Sequence, residues 1–137
     1  MKNLLCLLSA VVLIGSMFAL PCYSAQKDIL LQTTSTWDGA KYKKMNIKHP
    51  EVTVLNIKID VGEALPMHKH DLVNVAYVKQ GTLTVITDEN EQITLNPGDC
   101  LPELVGKYHY GKNTGNVPVE LIVFYIGKKG TPLSVNK

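Results

Sequence analysis

Within the stretch "HKHDLVN", His68 and His70 are separated by a single residue, and Asn74 follows four positions later. In an extended segment, side chains at i and i+2 leave the same face, so both imidazoles project together. Two neutral ring nitrogens on one face can chelate a divalent cation. Asn74 could add only an amide oxygen, a weak and uncharged donor to a transition metal. A lone His-X-His pair on a strand is commonly inert, so the reading depends on a further ligand arriving from elsewhere. Of the remaining histidines, His49 precedes Pro50 in a loop-like stretch and reads as solvated, whereas His109 lies in a later segment with its own turn signals.

The elements that must position these rings are strands. From Glu51 onward the pattern is β: in "VTVLNIKID", Leu55, Ile57 and Ile59 alternate with Asn56, Lys58 and Asp60. Val52 and Val54 keep the opposite phase, which predicts a bulge or two-sided burial near Val54. "VNVAYVKQG", "TLTVIT" and "QITL" follow, and "NPGD" predicts a type II turn with Pro97 and Gly98 at its centre. "VELIVFYIG" is apolar throughout and predicts a strand covered on both faces. No stretch after Ser24 carries a helical period, so the expected class is an all-β sandwich or barrel. Residues 25–50 predict an extension with a first strand and loops wrapping the edge. Residues 51–127 form the barrel, and 128–137 a loose tail.

Residues 1–24 stand apart. Lys2, an apolar run from Leu4 to Leu20, a break at Pro21 and small residues after it have the layout of a cleaved secretory signal, with the cut placed after Ser24. The expected destination is the periplasm or the exterior, with no stable membrane association after cleavage. Cys6 and Cys22 leave with this segment, so Cys100 remains as a lone thiol without an intrachain partner and reads as a small buried residue. The formal net charge is +2, or +1 without Lys2, and no basic stripe points to nucleic acid. Every basic residue is Lys. Without Arg's planar fork, substrates bearing phosphate groups fall in expectation.

The spacing also resembles a family. The cupins, small jelly-roll β-barrels, carry a first motif of Gly, five residues, His-X-His, three or four residues, Glu, six residues and Gly. Here Gly62, His68, His70 and Gly81 match, with Asn74 at the Glu position. Their second motif places Gly, Pro, Gly, His and Asn at fixed intervals; Gly98, Gly106, His109 and Asn113 match, with Leu104 at the Pro position and Pro102 close by. The resemblance implies an all-β, single-domain cupin-like jelly-roll barrel with His68, His70 and His109 as metal ligands and Asn74 as at most a weak one. The four glycines and Asn113 have structural roles, the glycines at crowded or positive-φ turns and Asn113 bonding loop backbone. It further implies a homodimer.

Three imidazoles and an amide leave the ion's dipositive charge uncancelled, which would acidify a bound water and favour an anionic ligand. The expected cofactor is one divalent metal, Fe, Zn, Ni, Mn or Cu. Two functions follow: an enzyme acting on a small organic molecule by oxygenation or isomerisation, or a non-catalytic module holding a small ligand or metal. Cys100, Lys107, Tyr108, Tyr110 and Tyr77 receive no catalytic role, and Tyr77 is expected to point away from the site.

Overall fold

The computed structural model describes residues 25–137; the expected signal segment lies outside them. Nine strands follow one another: β1 (Pro50–Ile59), β2 (His68–Lys69), β3 (Val73–Gln80), β4 (Leu83–Thr87), β5 (Gln92–Leu95), β6 (Cys100–Pro102), β7 (His109–Asn113), β8 (Val119–Lys128) and β9 (Val135–Asn136). They form two antiparallel sheets, β1-β8-β3-β6 and β5-β4-β7-β2-β9. The all-β expectation holds. Closure into a barrel does not: among the described residues the two sheets face each other without a continuous hydrogen-bonded ladder joining them.

The core sits between the sheets. On β8, Val119, Leu121, Val123 and Tyr125 point inward, and they meet Leu83 and Val85 of β4, Leu95 of β5, and Ala76 and Val78 of β3. The alternate residues of β8 face outward, with Phe124 49% and Ile126 39% exposed, so this apolar strand is not covered on both faces. The same outer face explains Val52 and Val54. β1 runs through ten residues in unbroken register with β8, and Val52 and Val54 lie opposite Ile126 and Phe124. No bulge forms there. The two valines are exposed, and their apolar character serves cross-strand pairing on the outer face.

The turns follow local chemistry. Gly98 sits at φ 98° with Asp99 N–H donating to the Asn96 carbonyl, the geometry of a type II turn. Residues 25–49 form no strand beyond an isolated bridge between Ser35 and Lys41. They wrap the edge instead: Trp37 N–H donates to the carbonyl of Pro102 on the edge strand β6, and the Lys107 ammonium is hydrogen-bonded to Asp38. Covering an edge in this way leaves it less free to pair with another chain. The C-terminal tail is not loose. β9 pairs with β2, and Lys137 N–H donates to the Met67 carbonyl.

Candidate metal centre

Two adjacent strands and one bridge bring the three histidines together. His68 on β2 lies directly opposite His109 on β7, and His70, just beyond β2, bridges to Val105. The ring centroids are 4.9 Å apart for His68–His70, 4.9 Å for His68–His109 and 5.2 Å for His70–His109. One nitrogen from each ring lies within 4.8 Å of the others. His70 and His109 are buried, while His68 is half-buried and forms the solvent side of the cluster.

Backbone carbonyls fix the tautomers. His68 Nδ1 is 2.7 Å from the Pro66 oxygen, His70 Nδ1 2.6 Å from the Leu133 oxygen and His109 Nδ1 3.0 Å from the Lys107 oxygen. A carbonyl can only accept, so each Nδ1 carries hydrogen, and each Nε2 becomes the ligating atom once it gives up any proton of its own. The site therefore presents three oriented donors, not three incidental rings. One of the three carbonyls comes from the tail: Leu133 packs against the core and anchors His70. A chain ending at Gly130 should fold with a modestly lower Tm and bind zinc about 10–100-fold more weakly, the usual effect of losing an outer partner of a ligand. Chelator competition measures this; unchanged affinity would detach the tail from the site.

Asn74 is 1% exposed on the inner face of β3, and its amide lies near the Tyr125 hydroxyl without a formed hydrogen bond at either atom. A buried amide left this way costs about 1–3 kcal/mol and marks a place where a ligand or water belongs. The carboxylate absent at position 74 is present nearby. Glu103 Oε2 lies 3.0 Å from His70 Nε2 and 3.2 Å from His109 Nε2, on a side chain 12% exposed. Burial opposes its charge, but hydrogen bonds from His109 and His70 prevail and hold the carboxyl down at about 2. Burial likewise disfavours the charged imidazolium of His70, and Glu103 outweighs it, raising that ring above its ordinary value. For His68 burial dominates and lowers it. The expectation of an uncancelled dipositive charge is thus corrected: a carboxylate stands in contact with two of the rings.

Sequence reading also passed over Tyr125, which stacks edge-on to His70 at 5.7 Å; burial, with the charge of Glu103, pushes its phenol up to about 12. Leu65, Tyr125, Glu103 and the three imidazoles line a cavity of 40 Å³. The other singled-out residues have structural places. Gly62, Gly81, Gly98 and Gly106 all sit at positive φ. Asn113 Nδ2 donates to the carbonyls of Ile59 and Val117 and its Oδ1 accepts from Gly115 N–H, closing the loop after β7. Cys100 is half-buried opposite Tyr77, not in the core, and burial raises its thiol. Tyr77 lies on the outer face, half-buried, and His49 is exposed away from the cluster.

The donor set of three imidazole nitrogens fits a divalent first-row metal. The family model for the cupin domain matches residues 56–125, just over half the chain. The chain is a cupin. Solved structures share its fold at low identity. A DMSP lyase, DddQ from Ruegeria pomeroyi DSS-3, superposes with TM-score 0.55 at 19% identity, over 63% of this chain and 43% of that one. The polyketide cyclase RemF from Streptomyces resistomycificus gives 0.53 at 16%, over 62% and 59%. A conserved protein with a double-stranded β-helix domain from Klebsiella pneumoniae gives 0.54 at 17%, over 62% and 69%. This cupin spans less than half of the lyase and about three fifths of the cyclase. No curated protein shows significant sequence similarity to it.

Proposed function

We propose that this cupin is an exported protein that holds one divalent metal through His68, His70 and His109 and acts on a small organic molecule bearing oxygen donors. The convergence of three Nε2 atoms, each tautomer tied to a backbone carbonyl, carries the reading. A bound metal would supply Lewis acidity toward an oxygen donor. The chain's own residues do the rest. Leu65 and Tyr125 keep the inner side apolar and narrow, and half-buried His68 marks the side from which a ligand enters. The lyase and cyclase among the structural neighbours support rearrangement or cleavage as readily as oxygenation.

A cavity of 40 Å³ favours a second reading. That volume holds an ion and a water or two, at about 10–15 Å³ each, so the same site suits a non-catalytic metal-binding or small-ligand module. One experiment separates the two. Protein purified from its native compartment is assayed for metal content, then tested on diketones, phenols and thiols for oxygen uptake and for product formed without oxygen. Turnover on any class supports the enzyme; one metal per chain with no turnover leaves the binding module, and metal-free folded protein sinks the metal-dependent enzyme and leaves only a small-ligand module. The apolar outer face of Val52, Val54, Phe124 and Ile126 supports a homodimer, which sedimentation would contradict with a monomer mass. Intact mass of the exported protein tests the cut after Ser24.

A further inference from the structure

The structure assigns the fourth metal ligand to Glu103, so that the carboxylate missing at position 74 is returned from the neighbouring strand. This rests on the three-histidine reading and deepens it. β3 pairs with β6 through Val75–Pro102 and Ala76–Leu101, and the Glu103 N–H donates to the Asn74 carbonyl. Continuing that register sets residue 103 opposite residue 74. Directly opposed residues present their side chains to the same face of a sheet. A carboxylate at either position therefore reaches the same interior space, and two would repel each other there.

Distance to two of the three rings also suits a shared ion. Donors about 2.1 Å from one ion lie ~3.0 Å apart when at right angles and ~3.4 Å apart at the tetrahedral angle. Glu103 Oε2 stands 3.0 and 3.2 Å from the ligating atoms of His70 and His109, within that span. The carboxylate brings one negative charge to the ion, as a glutamate at position 74 would. Asn74, neutral and without partners of its own, fits beside it.

The test loads the full mature chain with Co²⁺, whose visible bands report the ligand set, and measures affinity by chelator competition. Glu103→Gln keeps size and polarity and removes the charge. It should bind Co²⁺ at least tenfold more weakly, with shifted bands, and Asn74→Glu in the Glu103→Gln background should recover most of the affinity. Far-UV circular dichroism confirms the fold, and Glu103→Asp, which keeps a carboxylate, gives a second variant with an intermediate loss. Equal affinity and identical bands in Glu103→Gln overturn the assignment. So does weakened binding with unaltered bands at saturation, since Glu103 would then only support the rings. An unaltered chain that binds no Co²⁺ would overturn the three-histidine reading instead.

Discussion

His109→Ala should hold no zinc under conditions that load the unaltered chain with one ion, and the metal-free protein should lose about 3 kcal/mol of stability. Two losses combine. With one ring gone, His68 and His70 remain as a pair on the β2 side, and a two-imidazole site loses far more affinity than the roughly 10–100-fold typical of an outer partner. Stability falls for a separate reason. Glu103 is nearly buried and is kept ionised by His109 and His70 together. Removing one partner of a buried ionic group costs about 3–5 kcal/mol, because the remaining charge stays desolvated. The Lys107 carbonyl also loses its donor.

Thermal denaturation with and without zinc checks both. At about 100-fold excess over Kd, bound metal adds ~2.7 kcal/mol, so the unaltered chain's Tm should climb with zinc while that of the variant stays flat. His49→Ala is the control: exposed and distant from the cluster, it should match the unaltered chain within about 0.5 kcal/mol. A His109→Ala chain that still binds one zinc tightly would remove the site.

Much of this was legible in the residues, and what was not has a physical reason. Alternation in "VTVLNIKID" correctly set the inner face of β1, because burial on one face imposes a period of two. The outer face misled, since Val52 and Val54 pack across to Ile126 and Phe124 and so imitate a phase change. His109 was reachable because the resemblance to the second cupin motif sets it at the histidine position. Glu103 was not. In "CLPELVG" it follows a proline in what reads as a loop, and only the pairing of β3 with β6 sets it opposite Asn74. The tail was hidden for the same reason: a two-residue strand has no period to read, and Gly130 and Pro132 argue for a turn. Once the sheet register is known, Asn74 is flanked by Tyr125 on β8 and by Glu103 just beyond β6, and the second of these is an acid.

The glycines give the second large effect, and they separate strain from crowding. Gly81 and Gly98 both sit at positive φ, 82° and 98°, where any L side chain costs about 1–3 kcal/mol. Beyond that they differ. A Cβ at Gly98 meets nothing within 4 Å, whereas at Gly81 it would stand 2.7 Å from the Pro118 oxygen, 2.8 Å from Val119 Cα and 2.9 Å from Val119 Cγ2. Two of those three atoms are backbone, and Val119 is fully buried at the start of β8, so they cannot swing aside. Overpacking of this kind adds about 1–3 kcal/mol. Gly81→Ala should therefore cost about 2–6 kcal/mol, a large part of the ~5–15 kcal/mol available to a domain, and Gly98→Ala only about 1–3. Urea midpoints of the two variants measure the gap. Equal losses would mean that the β3–β4 turn can shift away from Pro118 and Val119, and that the glycine is held there by its backbone angle alone.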